Sequence, residues 1–415
     1  MKTLKYLLLG GIAMLVPLVL QASPTVYIPL GSANKILIVD GATDKKTGMI
    51  SGFKNIHGLS VTPNGEYLVA GSNDEVIAGR SKMAGHGMMS GKAGPSSKTG
   101  QQKSVPAAMK KPAGVSEADH KKHHPQSDVV TTAADHSAMS GKPNQAKTGK
   151  RKGMSDADHK KHHAAQVGGL LPAVGVSTVS LIRVADNKLE ATIKVRGMAH
   201  HIFVTPNGKY AVSTHTTAGL ISLIDLATKK IFRNIYTGPQ PNYVVFANDG
   251  EQMYVTNAGN NTLSVIDTKN WIVSKNILVG KGPEHMVISP DEKFIYTSNA
   301  RDGTLSKVSL SKLKVVKTFT IGNNPHGLDI SADGKTLYAT TKKDNKLVAV
   351  NVASGKVHTL KLSPAPYHLQ VIGNTGKIYV SSRKKPFIWV VDAKNLKVTG
   401  KINIRGEGHQ MVVLN

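Results

Sequence analysis

The chain has 415 residues, no cysteine, and 53 lysines and arginines against 26 acidic residues, for a formal net charge of +27. Without cysteine there is no disulfide, no thiolate metal site and no covalently attached c-type haem. The lysines are spread over the whole length with few aromatics to stack bases, so the charge reads as a solvated basic surface rather than a site for a specific nucleic acid.

Residues 1–22 carry lysines at positions 2 and 5, an apolar run from Leu7 to Leu20, and small residues at Ala22 and Ser23. The run is too short to span a bilayer and no stop-transfer pattern follows. The pattern predicts a secretory signal cleaved after Ala22 and a periplasmic or secreted protein with no transmembrane segment after cleavage. TVYIPL and NKILIVD then predict two strands with no inner strand before them, whereas HQMVVLN at the other end predicts an inner strand with nothing after it. Together they complete one sheet from both termini.

From His57 onward one pattern repeats: a short apolar strand starting at a histidine, a polar turn, and a second strand. The slot falls at His57, His201, Asn242, His285, His326, His368 and His409, with intervals of 41, 43, 41, 42 and 41 residues from His201 on. A period near 40 residues, each unit holding several short β-rich runs split by turn residues, predicts one four-stranded blade per unit. The expected fold over residues 23–415 is all-β, a single seven-bladed β-propeller closed by its N- and C-terminal strands. One blade is interrupted between EYLVAGSN and TVSLIRVAD. The extra chain, residues 75–170, is dominated by glycine, lysine, serine, alanine, histidine and methionine, which predicts a disordered insertion.

Residues 254–257 read Tyr-Val-Thr-Asn, followed by AGNNTLSVIDTKN, with looser copies at Tyr296-Thr-Ser-Asn and Tyr379-Val-Ser-Ser. This resembles the YVTN family of propeller repeats over nearly all the chain outside the insertion. The resemblance implies the fold and says little of function.

In a propeller the innermost strand of each blade lines a central channel, so a residue at one point of every inner strand forms a ring. His57, His201, His285, His326, His368 and His409 are expected to converge there, with Asn242 in the seventh place and His200 beside the ring. Converging neutral imidazoles are ligands for copper, zinc, iron or nickel. Inheritance of one ancestral blade could also repeat a histidine without any metal. A histidine-lined hub with a His-His doublet resembles the propellers of nitrous oxide reductase and thiocyanate dehydrogenase, which implies a multinuclear copper site on His57, His200, His201, His285, His326, His368 and His409. Nitrous oxide reductase also needs a second copper domain with cysteine ligands, which this chain cannot supply. Propeller lactonases, by contrast, generally hold metal through hub carboxylates.

The insertion carries a second donor set. Asp-His-Lys-Lys-His-His occurs twice, ending at His124 and at His163. His86, His120, His123, His124, His136, His159, His162 and His163 mix there with Met83, Met88, Met89, Met109, Met139 and Met154. Thioether selects soft Cu(I) and imidazole accepts Cu(II), so the mixture predicts copper in either oxidation state rather than zinc. The segment resembles the Met/His-rich stretches of periplasmic copper-tolerance proteins. It leaves from the end of a second strand, on the face of the disc where first strands begin.

Three functions compete at this level. One is an exported monomer that binds copper ions for tolerance, storage or delivery, with a copper chaperone as a partner. Another is a copper oxidoreductase acting on a small molecule at the hub through an external electron carrier, with Glu284, Glu407 and Asn242 as acid/base or orienting groups. The third is a metal-free binding scaffold. No phosphate-cradling loop, nucleophile elbow or zinc-protease helix is present.

Overall fold

The computed structural model describes residues 23–77 and 174–414. Residues 1–22, which the sequence predicts as a signal, and the insertion's histidines and methionines, Met83 to His163, lie outside the described residues. Among those described, no helix is long and apolar enough to cross a membrane.

Seven four-stranded antiparallel sheets form the blades of a propeller. We number them so that blade 1 holds Thr25–Leu30, Lys35–Asp40 and Lys46–Ser51 with the C-terminal Val412–Leu414 as its inner strand. The inner strands of blades 2 to 7 are Ile56–Val61, Ile202–Val204, Pro241–Phe246, Pro283–Ile288, Pro325–Ile330 and Pro366–Ile372. The pairing of Tyr27 with Val412 closes the ring as the two half-units at the termini predicted. Residues 78–173 fall between the second and third strands of blade 2, Tyr67–Ser72 and Val176–Arg183.

Alternation along each strand gives every blade two apolar faces, and each interface between consecutive blades holds its own core. Blades 4 and 5, for example, share Tyr254, Leu263, Val265, Met286 and Ile295, all buried. Blades 7 and 1 share Val26, Ile28, Tyr379 and Ile388. Beside that core, the Lys377 ammonium lies 2.9 Å from the Asp44 carboxylate, which also accepts from the Tyr379 hydroxyl. Closure is therefore noncovalent, as a chain without cysteine requires.

A second device works nearer the axis. In blade 5 the His285 N–H donates to Ser298 Oγ at 3.1 Å, and that hydroxyl donates to the His326 carbonyl of blade 6 at 2.7 Å. Thr214, Thr256 and Thr340 repeat the relay, reaching the carbonyls of Asn242, Glu284 and Tyr367. The third residue of the Tyr-Val-Thr-Asn motif is this pin. Its fourth, Asn257, ties the second strand to Thr262 and Ser264 of the third.

Ser298→Ala removes one pin and leaves a buried N–H and a buried carbonyl under-satisfied. The expected loss is about 1–3 kcal/mol of stability, read by chemical denaturation. Gly327→Ala should be worse, because a Cβ there would stand 2.6 Å from the Tyr367 carbonyl oxygen and 2.8 Å from the Leu369 nitrogen. Both contacts are backbone, so neighbouring inner strands would have to separate.

Candidate metal centre

Each inner strand of blades 4 to 7 begins with a register shift, between Pro241 and Val244, Pro283 and Met286, Pro325 and Leu328, and Pro366 and Leu369. Blade 2 has one between Ile56 and Gly58. Such a bulge breaks the alternation, so two consecutive side chains can face the axis. The result corrects the single ring expected from the repeat. Aligned on the ladders, the hub residues form two stacked tiers.

The upper tier, nearer the strand starts, is His57, His200, Asn242, Glu284, His326, Tyr367 and His409 in blades 2 to 7 and then 1. The lower tier is Gly58, His201, Tyr243, His285, Gly327, His368 and Gln410. Intervals within the upper tier from His200 on are 42, 42, 42, 41 and 42 residues, more even than the histidine spacing alone. Asn242 therefore shares a level with His326, whereas Tyr243 stands level with His285. The sequence reading missed Tyr243 and Tyr367. The evenness of these intervals was the signal that could have found them.

All seven predicted histidines meet at the hub. His201, His285 and His368 come from blades 3, 5 and 7, yet their ring centres lie 4.9 to 5.8 Å apart. Only residues facing a common axis approach this closely from non-adjacent blades. In the upper tier, His57 lies 4.3 Å from His200 and 4.2 Å from His409, centre to centre. Two triads can each hold one ion: His57, His201 and His368, and His285, His326 and His368, with one donor atom per residue within 4.8 Å of the others. His368 belongs to both. His200 and His409 flank His57 without completing a third such triad.

Glycine makes this crowding possible at two positions. A Cβ on Gly58 would lie 2.6 Å from the His200 carbonyl oxygen, as one on Gly327 would from that of Tyr367. Their missing side chains let the His200-His201 and Tyr367-His368 pairs sit against the neighbouring strand. Gln410 fills the lower tier of blade 1, donating to the Ile202 carbonyl at 3.1 Å.

The donor chemistry fits a transition metal. Buried polar atoms are ordinarily satisfied, yet His57 Nδ1 and Nε2, His201 Nε2, His285 Nε2, His326 Nε2 and both nitrogens of His368 are buried without a partner. His200 Nδ1 and His409 Nδ1 are in the same condition. The other nitrogen is engaged in two cases. His201 Nδ1 lies 3.0 Å from the Asn242 carbonyl, and His326 Nδ1 meets the Glu284 carboxylate. Both arrangements fix the ring and present Nε2 as the free donor, as when a carbonyl or carboxylate holds the far nitrogen of a metal-binding histidine. Glu407 stands 3.7 Å from His409 Nε2 and pairs with Arg383.

Burial dominates the electrostatics. It holds His57, His201, His285, His326, His368 and His409 well below the usual imidazole range, with neighbouring imidazoles or cations adding to the effect. His200 falls to about 4, again through burial. Burial raises the Glu284 carboxyl, and lower in the channel it raises Asp329 to about 6. The rings are thus neutral near pH 7, the state that binds metal.

Where the second strand of blade 2 ends, Ile56 pairs with Ser72. Glu75 then accepts from the Gly175 N–H at 2.6 Å and from Thr217 at 2.9 Å. Both described ends of the segment 78–173 therefore lie on the face that carries the upper tier. A separate cavity of about 540 Å³, lined by Tyr210, Phe232, Arg233 and Trp271 among others, touches none of the hub histidines.

Comparison with known proteins places the fold and little more. A family model for the seven-bladed lactonase propeller matches residues 190–372. The chain is similar to hydrazine synthase of Kuenenia stuttgartiensis, at 18% identity over 56% of this chain and 84% of that one, with a TM-score of 0.52. It is similar to the periplasmic gluconolactonase of Pseudomonas aeruginosa, at 13% identity over 95% and 99%, with a TM-score of 0.60. The dihydro-heme d1 dehydrogenase NirN is a third, at 10% identity over 91% and 63%, with a TM-score of 0.54. No curated protein matches. This is a seven-bladed β-propeller. The likeness to Tyr-Val-Thr-Asn repeats and to nitrous oxide reductase rests on the residues quoted above, not on these matches.

Without metal, the seven hub imidazoles are neutral in the folded protein and protonate in the unfolded chain below about pH 6.5. The unfolded state then binds more protons, so stability is fully present above that pH and is lost as pH falls below it. Asp329 and Glu284 act in the opposite sense, but they are two carboxyls against seven imidazoles. The expected result is a steep fall in the urea midpoint of the metal-free protein between pH 7 and pH 5. The combined His57→Gln, His326→Gln and His409→Gln variant should flatten that slope whatever its absolute stability.

Proposed function

We propose that the hub is a resident copper centre of an exported oxidoreductase, acting on a small molecule that reaches it from the upper face. The observation that carries this reading is the set of buried, unpartnered imidazole nitrogens in two triads joined at His368. An all-imidazole set suits copper, zinc, iron or nickel. The methionine and histidine content of residues 75–170 and the signal-like residues 1–22 tip the choice to copper outside the cytoplasm. Copper would supply redox chemistry, and an external carrier would exchange its electrons.

Burial favours a fixed centre over exchangeable storage. His57, His201, His285, His326, His368 and His409 are each at most 4% exposed, and ligands so enclosed suit an ion that stays. Glu284 would orient His326 and keep a proton at its Nδ1, while Asn242 does the same for His201 through its carbonyl. Copper tolerance, storage or delivery is the second reading. It is supported by the repeated Asp-His-Lys-Lys-His-His of the insertion, which could gather copper for the hub.

Metal analysis of protein matured in copper-supplemented cells should give two coppers at the hub, retained after deletion of residues 80–165. His368→Ala should lose most of both, and His326→Ala most of one. Copper lost together with the deleted segment would support tolerance or storage, and copper absent from both proteins would leave a metal-free scaffold.

A further inference from the structure

The upper tier is overhung by cations that the metal reading does not use. Residues just after the second strands of blades 5, 6 and 7 supply Arg301, Lys342 and Arg383, on the same face as the strand starts. Arg301 donates to the Ala258 carbonyl at 3.0 Å, and Arg383 pairs with Glu407. Lys342 differs. It is half-buried, its Nζ has no hydrogen-bond or ion-pair partner among the described residues, and it lies 5.4 Å from the centre of the Tyr367 ring. The Arg383 guanidinium carbon lies 5.0 Å from the centre of the same ring.

Two cations thus converge on one phenol, and the Tyr367 ring stacks in turn on His326 with ring centres 4.1 Å apart. The Tyr367 hydroxyl also has no partner among the described residues. The nearby carboxylates are already engaged, Glu284 with His326 and Glu407 with Arg383. A half-buried ammonium and a guanidinium over one ring bring two positive charges to the mouth, and only the guanidinium meets a carboxylate. Each cation gains a contact with the face of the ring, but the two like charges oppose one another, and a partly desolvated ammonium without an ion-pair partner is costly. An anion entering the mouth would relieve that cost.

We propose that Lys342, Tyr367 and Arg383 form a subsite for a small inorganic anion, which sets the ligand or substrate class admitted to the hub. The proposal rests on the metal reading for what lies beneath the subsite, but the anion's recognition belongs to these three side chains alone. Lys342 is here a binding residue, placed to select charge at the entrance. The facing groups leave room for a single negative charge, since Glu284 and Glu407 would oppose a second.

The test uses the full mature chain and azide as the probe, with binding followed by calorimetry and metal content measured on the same samples. Wild type should bind about one azide per chain. Lys342→Met should weaken binding at least ten-fold with metal content unchanged, and Lys342→Arg should stay within about three-fold of wild type. Lys342→Met should also melt at the same or a higher temperature, because it removes an unpaired, half-buried charge, whereas loss of a structural pin would lower the melting point. Azide affinity unaffected by Lys342→Met overturns the proposal. If the protein carries no metal, bromide located by anomalous scattering in metal-free crystals decides the matter separately. Bromide on Lys342 and Tyr367, lost in Lys342→Met, upholds the subsite although the metal reading has failed, and its absence from wild-type crystals overturns it.

Discussion

The constraint on which the hub depends is the bulge at the start of the inner strands, held by hydroxyl pins from the second strands. A regular strand sends alternate residues to opposite faces, so an unbulged blade would offer the axis one residue at this level. The bulge offers two. It also frees an N–H from the ladder, and Thr214, Thr256, Ser298 and Thr340 take up that N–H while passing their own hydrogen to the next blade. One hydroxyl thus stabilises the local irregularity and fixes the spacing between blades, which sets how closely the imidazoles approach.

That approach is unfavourable without a ligand. Neutral imidazoles packed with unpartnered nitrogens forgo hydrogen bonds they would have in water. The seven separate interblade cores supply the stability that allows the centre to be this polar. Partially satisfied polar clusters on the axis of a well-packed ring are the expected mark of a binding centre, where local stability is given up for function. The Glu284–His326 contact and the Asn242 carbonyl on His201 show the same economy, since each leaves one nitrogen aimed inward.

The scaffold itself is neutral about chemistry. Lactonase propellers, hydrazine synthase and a haem d1 dehydrogenase share its architecture at 10 to 18% identity, and identities this low speak to the fold alone. What this chain sets on that scaffold is two tiers in which Glu284 is the one acidic residue and histidine occupies seven of fourteen places.

The amino-acid sequence by itself determined the seven blades, the closure by both termini, the interrupted second blade and the identity of every hub histidine. It could do so because apolar alternation and a period near 42 residues are local properties, repeated often enough to be read without contacts. It did not determine that the histidines occupy two levels. His57 and His285 look equivalent in the chain, yet they differ by one place in their ladders. Tyr243 and Tyr367 were marked only by their even spacing from the neighbouring slots, and Lys342 was not marked at all. Those assignments needed the tertiary structure, because a bulge is a mismatch between two strands, and proximity across an axis arises only when all seven blades are closed into a ring.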